Sequence, residues 1–301
     1  MDYRTLGRTD LVVSRLGAGL SEIGYELTRH DVAEAGRVLN AALDGGITFL
    51  DTAACYNVSE ELVGRAVGHR RDEFVLATKA GHVTGGYRGE PWTRRTILDS
   101  IDRSLERLQT DHVDLVQLHS CGVDILARGE VIEALEDARR AGKTRYIGYS
   151  GDNAAAQWAV ADGRFDTLQT SYNLVDQAAR RTLLDQAKAQ GMGIIVKRPI
   201  ANGAWGAASA PSTYAGQYWE RAQQLQALGE LPAAPHNRIW LALAFVLAQD
   251  QVDTAIVGTR NPTHMQANLT WLATEPPLDA ATVAELQRRY DAVADDWPQL
   301  G

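Results

Sequence analysis

The feature that most narrows what this chain can fold into is a repeated rhythm. Eight short apolar runs rich in β-branched residues recur along it, each followed by a stretch with helical spacing, as in strand–helix units around a parallel sheet. The runs are Ser14–Ala18, Thr48–Asp51, Phe74–Lys79, Val113–His119, Tyr146–Ser150, Thr167–Ser171, Gly193–Lys197 and Thr254–Gly258. Most are apolar on both faces, as strands covered by helices must be. Eight such units close a barrel, so the sequence predicts an α/β chain of (β/α)8 TIM-barrel type, with residues 1–301 as one domain.

The intervening segments support this. After Thr93 as N-cap, Ile97, Ile101, Leu105 and Leu108 repeat at helical spacing with Asp102, Arg103 and Glu106 outside. Val131, Ile132, Leu135 and Ala138 form a second stripe, stopped by Gly142, and Gly45-Gly46 and Gly191 punctuate the chain in the same way. Ahead of the first run, Tyr3–Gly7 and Leu11–Ser14 flank Arg8-Thr9-Asp10, which predicts an N-terminal β-hairpin plugging one barrel end. Beyond the last, Pro262–Ala273 and Ala280–Ala294 predict extra C-terminal helices. Two long irregular stretches, His82–Trp92 and Ala201–Tyr218, directly follow the third and seventh runs, where barrels of this type carry function.

Composition excludes several classes. Hydrophobic residues make up 45% and charged residues 23%, with 9 Pro and no low-complexity tract, which rules out a disordered or collagen-like chain. A net charge of −8 with no basic patch argues against nucleic acid or an anionic membrane surface as partner. The longest apolar run, Ile239–Ala248, falls short of the ~20 residues a bilayer requires, and the N-terminus lacks the regions of a signal peptide. Cys55 and Cys121 alone supply neither a disulfide framework nor a clustered zinc site. The expectation is a soluble cytoplasmic protein without a metal; association with further copies is left open.

In such a barrel the reacting groups sit at the C-terminal ends of the strands. Asp51 ends the second run, Tyr56 lies five residues on, Lys79 ends the third run and His119 the fourth. Together they would make a proton-donating centre. A phenol of pKa ~10 is a poor acid at neutral pH, a nearby ammonium lowers that value, Asp51 keeps the ammonium charged, and His119 donates to a substrate oxygen.

These residues, with the words around them, resemble the aldo-keto reductase superfamily, nicotinamide-dependent oxidoreductases on a (β/α)8 barrel. The resemblance rests on Gly45-Gly46-Ile47-Thr48-Phe49-Leu50-Asp51-Thr52-Ala53, Tyr56 with Ser59-Glu60 and Gly64, Thr78-Lys79, and Asp114-Leu115 with Leu118-His119, and it runs over essentially the whole chain. It implies that Asp51, Tyr56, Lys79 and His119 are the catalytic tetrad. Tyr56 would be the general acid in reducing aldehyde or ketone carbonyls, sugar-derived ones among them, to alcohols by hydride transfer.

The resemblance also implies an extended dinucleotide across the barrel mouth without a Rossmann fingerprint. Gly17-Ala18-Gly19-Leu20-Ser21-Glu22 keeps only the first half of that motif, and Gly19 in its turn is a candidate contact. Ser150 and Gln169 match the carboxamide contacts, with Ser171 and Tyr172 near the ring. Lys197-Arg198-Pro199 stands where the family more often has an aromatic followed by Ser; the basic pair is expected to clamp the pyrophosphate, leaving Tyr172 or Trp205 to stack on the nicotinamide. Gly258, Thr259, Arg260, His264 and Asn268 match the adenosine-phosphate segment. Gly258 replaces a Lys and His264 an Arg, but Arg260 is basic, so NADP(H) is expected over NAD(H); Ala267 stands where an acidic or amide residue commonly holds the adenine.

For the substrate, a small carbonyl compound, the aromatics of the two long stretches (His82, Tyr87, Trp92, Trp205, Tyr214, Tyr218 and Trp219) suggest an apolar-walled pocket. Trp92, Tyr87 and Trp205 are the residues singled out, Trp92 first. Cys55 and Cys121 flank the mouth residues and suggest thiol sensitivity. Three other functions stay in view: a cofactor-binding redox sensor or regulatory subunit with little turnover, an aldolase with Lys79 as Schiff-base nucleophile, and a zinc hydrolase, which the scattered His residues and the absence of HExxH disfavour.

Overall fold

The computed structural model describes residues 1–231 and 234–300. Two short antiparallel strands, β1 (Tyr3–Thr5) and β2 (Val12–Ser14), form the expected hairpin. Eight parallel strands then close a barrel: β3 (Leu16–Gly19), β4 (Phe49–Asp51), β5 (Val75–Ala80), β6 (Val113–His119), β7 (Thr144–Ser150), β8 (Thr167–Ser171), β9 (Gly193–Lys197) and β10 (Thr254–Gly258). Chain order is ring order, with β10 pairing back onto β3. Four strands have the predicted limits. The largest departure is at the first: Ser14 belongs to the hairpin, because its Oγ donates to the Leu16 carbonyl at 2.6 Å and the chain bends at Arg15 before entering the barrel.

The helices bury the stripes read from the sequence. Arg94–Leu108 starts with Thr93 Oγ1 accepting the Thr96 amide and buries Ile97, Ile101 and Leu108, with Leu105 of the stripe half-buried; Glu130–Arg140 buries Val131, Ile132, Leu135 and Ala138. Pro262–Thr274 and Ala280–Val293 are the C-terminal helices. The stretch expected to be irregular up to Tyr218 turns helical at Gly216, so Tyr218 and Trp219 lie on helix Gly216–Gln226. The apolar run at Ile239 is helix Arg238–Leu247, buried from Trp240 to Val246, and no helix among the described residues is long and apolar enough to cross a membrane.

The hairpin closes the N-terminal end of the barrel. Leu6, Leu11 and Val13 pack with Phe49, Ala77, Leu115, Ile195 and Ile256 in an interior cluster separate from the main core. Gly7 makes the close approach: it adopts φ +56°, and a Cβ there would stand 2.1 Å from the Gly193 amide nitrogen. With this end sealed, the barrel's own mouth lies at the opposite rim. Register lines up that rim: Gly19 beside Asp51 and Gly258, His119 beside Ser150, Ser150 beside Gln169, and Ser171 beside Lys197.

Candidate active site

The rim brings Asp51, Tyr56, Lys79 and His119 together. Lys79 is 1% exposed; its Nζ donates to Asp51 Oδ2 at 2.5 Å and to the Thr52 carbonyl at 3.0 Å, lies 3.5 Å from Tyr56 Oη, and sits 4.9 Å from the Tyr56 ring centroid. Asp51 Oδ1 accepts from Gln169 Nε2 at 2.9 Å and Gln117 Nε2 at 3.2 Å, so both carboxylate oxygens are engaged. The Tyr56 and His119 rings meet edge-on with centroids 5.6 Å apart.

Burial acts against the Lys79 ammonium, but Asp51 and then Tyr56 outweigh it and hold the pKa above the usual lysine value. Burial raises the Tyr56 phenol and Lys79 lowers it, with Asp51 raising it again; the balance is upward, so the expected lowering of the phenol by Lys79 is overridden. His119 is held well below its usual value, first by burial, then by Lys79, His82, Lys197 and Arg198. At neutral pH the centre is therefore a charged ammonium, a protonated phenol and a neutral imidazole.

The other expected residues divide between those at the rim and those turned away from it. Ser150 Oγ donates to Gln169 Oε1 at 2.8 Å, which links this pair through Gln169 to Asp51. Gly19 and Gly258 lie side by side, and a Cβ at Gly258 would come 3.4 Å from the Gly19 carbonyl oxygen and 3.5 Å from Glu22 Oε1, so the Glu22 carboxylate stands beside this glycine stretch of the rim. Thr259 is buried with its Oγ1 accepting the Asn261 amide, Asn268 is buried, His264 is exposed, and Arg260 is ion-paired with Glu26 and Glu34 rather than free.

Lys197 Nζ donates to Asp152 Oδ2 at 2.8 Å, and Arg198 Nη1 donates to Ser171 Oγ at 3.0 Å and to the Leu300 carbonyl at 2.7 Å. Ser171 is held by Asp152 through its amide at 2.8 Å, and Pro199 is buried. Burial raises the Asp152 carboxyl, but Lys197 and the Ser171 amide outweigh it and leave it low.

Three expectations fail. Tyr172 is fully buried, stacked on Phe245 with centroids 5.5 Å apart and its hydroxyl donating to Gln249, so it cannot stack on a nicotinamide. Trp205 is 5% exposed and lines a cleft with Gln226, Leu241 and Arg289, apart from the tetrad. Tyr87 donates to Asp99 Oδ2 at 2.7 Å and lies under Arg103, fastened to helix Arg94–Leu108. A place after a strand end (Tyr172) or in a long stretch beyond one (Trp205, Tyr87) does not set a side chain's direction, and packing turns each ring onto a neighbouring helix. Trp92 does reach the rim. It takes φ +62°, its indole covers Gly81 so closely that a Cβ there would be 1.8 Å from Cζ3, and it meets His82, which in turn meets His119 at 5.2 Å.

Three rim residues escaped the sequence reading. Tyr25, 56% exposed, lies 5.8 Å from the Tyr56 ring. Nothing around it in sequence signals this. Asp152 could have been found as a carboxylate two residues past a strand end, and Gln117 by alternation, since it shares the inward face with Leu115 and His119.

A parallel eight-stranded barrel whose sealed end faces away from a buried acid–ammonium–phenol–imidazole cluster is the setting of an oxidoreductase that works at its rim. The sequence model of the Aldo/keto reductase family matches residues 15–291, and the chain belongs to that family. It is 31% identical to the uncharacterized oxidoreductase YrpG of Bacillus subtilis (strain 168), covering 99% of each chain, and 27% identical to the L-galactose dehydrogenase of Arabidopsis thaliana, covering 99% of this chain and 97% of that one. Among solved structures it is similar to the aldo-keto reductase AKR11C1 from Bacillus halodurans in its holo form, with a TM-score of 0.82, 29% identity and 96% of each chain covered.

Proposed function

We propose that this chain reduces an aldehyde or ketone carbonyl to the alcohol, with a nicotinamide dinucleotide as the source of hydride and Tyr56 as general acid. The observation that carries the reading is the buried Lys79 ammonium, bound to Asp51 at 2.5 Å and lying 3.5 Å from the Tyr56 hydroxyl. A protonated phenol donates to an oxygen that becomes negative as hydride arrives, and the ammonium stabilises the phenolate left behind. His119 donates to the same oxygen and orients it. In oxidation the phenolate takes the proton back. The raised pKa of Lys79 disfavours a Schiff-base role, which needs a neutral amine.

The residues at the rim fit a dinucleotide: Gly19 and Gly258 put no side chain of their own on the rim, and Lys197 and Arg198, both paired with Asp152, add two cations nearby. When bound, the reduced nicotinamide supplies the hydride. Gln169, Ser150 and Ser171 would hold its carboxamide end, Lys197 and Arg198 the pyrophosphate, and Gly258, Thr259, Arg260, His264 and Asn268 the adenosine end. A 2′-phosphate has to draw Arg260 away from Glu26 and Glu34, so the preference for NADP(H) over NAD(H) is expected to stay within about tenfold. Trp92 and His82 form one wall for the substrate. The likeness to L-galactose dehydrogenase supports a sugar-type carbonyl, and the two free thiols suit a reducing, cytoplasmic setting.

Titrating the fluorescence of the 7 tryptophans with NADPH and NADH, then adding a panel of aldehydes and ketones, tests the reading. Binding followed by carbonyl-dependent oxidation supports it; binding without turnover makes the chain a regulatory binder, and no binding overturns both. Tyr56→Phe is expected to lower the turnover number by about 100-fold or more with cofactor affinity unchanged, and equal turnover removes Tyr56 from its role.

A further inference from the structure

Cys55 lies in the loop between β4 and helix Ser59–Val67, immediately before Tyr56, and its Sγ stands 3.2 Å from Nδ1 of His119. The loop is fixed on both sides of it: the Ala54 amide donates to the Lys79 carbonyl at 3.1 Å, the Tyr56 amide to the Ala53 carbonyl at 3.0 Å, and Tyr25 Oη to the Cys55 carbonyl at 3.2 Å. Among the described residues nothing hydrogen-bonds Nε2 of His119. The imidazole is thus engaged through one nitrogen and leaves the other for a ligand.

A neutral imidazole carries one proton, on one nitrogen only. With the proton on Nδ1, Nε2 turns a lone pair toward the carbonyl oxygen and repels it. With the proton on Nε2, the ring donates to that oxygen, and Nδ1 then needs a donor of its own. Cys55 is placed to be that donor. Burial holds the thiol above its usual pKa, against the pull of Lys79, so it keeps its proton at neutral pH. The charged or titratable groups facing the pair are Lys79 of β5, His82 just beyond it, Tyr56, whose ring meets His119 edge-on, Tyr25, whose hydroxyl binds the Cys55 carbonyl, Lys197 and Arg198 at the end of β9, and Glu60 toward Cys55.

We propose that Cys55 is a positioning residue: its S–H donates to Nδ1 of His119 and fixes the imidazole as the Nε2–H tautomer that meets the carbonyl oxygen. The assignment rests on the carbonyl-reduction reading above for its purpose, but not for its measurement. Two-bond 1H–15N NMR correlations report the tautomer of His119 directly, with the signal assigned by loss in His119→Gln. Wild type and Cys55→Ser, which keeps a donor, are expected to show Nε2–H. Cys55→Ala is expected to show a mixture of tautomers and a turnover number lower by about tenfold, with dinucleotide affinity by tryptophan quenching unchanged, and Cys55→Ser to restore turnover.

An Nδ1–H tautomer in wild type overturns the proposal, and so does Cys55→Ala with tautomer and turnover unaltered. If no carbonyl is reduced by wild type, the reductase reading fails while the tautomer still decides the role of Cys55.

Discussion

Asp51 shows how much of the centre depends on one side chain. Its Oδ2 takes the Lys79 ammonium and its Oδ1 takes Gln117 and Gln169, and through Gln169 it reaches Ser150 on the next strand. Asp51→Asn leaves a buried ammonium without its counter-charge, and a loss of about 3 kcal/mol is expected in denaturant unfolding at pH 7. A loss under 1 kcal/mol would mean that the Thr52 carbonyl and water suffice for Lys79. That these four side chains come together was legible because Asp51, Lys79 and His119 are polar residues at the ends of apolar runs and Tyr56 follows in the loop after the first of them. The partners were less so. Tyr172, Trp205 and Tyr87 misled because sequence gives the position of a residue along a strand or loop but not the direction of its side chain, and all three rings find helices to pack on.

At the level of elements, the sealed end of the barrel is fastened by one device used on alternate strand pairs. The carboxylate of Asp114 accepts the Leu76 amide at 2.8 Å, Asp166 the Ile147 amide at 3.1 Å, and Asp253 the Ile194 amide at 2.8 Å, while Thr48 Oγ1 accepts the Ser14 amide at 2.9 Å. Each carboxylate also holds a cation: Arg71 and Arg145 for Asp114, Arg8 and Arg139 for Asp166, Lys188 for Asp253. Burial disfavours the charged form of Asp114, but the Leu76 amide, Arg71 and Arg145 outweigh it and hold the pKa below the usual carboxylate value. Its stabilisation is therefore present above the unfolded pKa of about 3.9 and lost as pH falls through the folded value. Asp114→Asn should be about 2 kcal/mol less stable at pH 7 and should lose less than wild type between pH 5 and pH 2.5. Melting curves across that range check it; parallel curves refute it. The fastening role of these residues was invisible in the sequence because a lone Asp at the start of a strand, Asp114 in β6, or just before one, Asp166 and Asp253, has no periodicity. The barrel itself was legible because its buried strands are apolar on both faces, whereas helix Gly216–Gln226 was lost in a Gly-, Gln- and Ser-containing stretch with a weak stripe.

On the scale of the whole molecule, the last described residues tie several elements to the rim. Gln299 Nε2 donates to Thr170 Oγ1 and to the Ser171 carbonyl, both at 2.9 Å. The Leu300 carbonyl accepts from Arg198 at 2.7 Å and Tyr218 Oη at 3.0 Å, and the Leu300 amide donates to Asp176 Oδ2 at 2.9 Å. Asp176 is fully buried, its Oδ1 has no hydrogen-bond partner, and Arg221 Nη1 stops 4.0 Å away. Burial raises this carboxyl to about 7, with Asp152 adding to it against the Leu300 amide and Arg221. A folded pKa above the unfolded ~3.9 gives stability that is complete below that value and is lost as pH rises through about 7. Wild type should therefore become less stable between pH 5 and pH 8, and Asp176→Asn should flatten that decline; an unchanged slope in the variant rules Asp176 out as its source.

The hairpin at the sealed end sets the order in which this chain can fold. Leu6, Leu11 and Val13 are synthesised long before Ile195 and Ile256, against which they pack, and Gly7 and Arg8 have no seat until residues 191 and 193 exist. Strand β3 likewise has one edge unpaired until β10 is made. A nascent chain must carry an apolar hairpin and an open strand edge through most of its synthesis, with long-range closure left to the end. Ring closure and stoppering thus become a single late event, and any interruption of translation before β10 releases a species prone to pair with its neighbours.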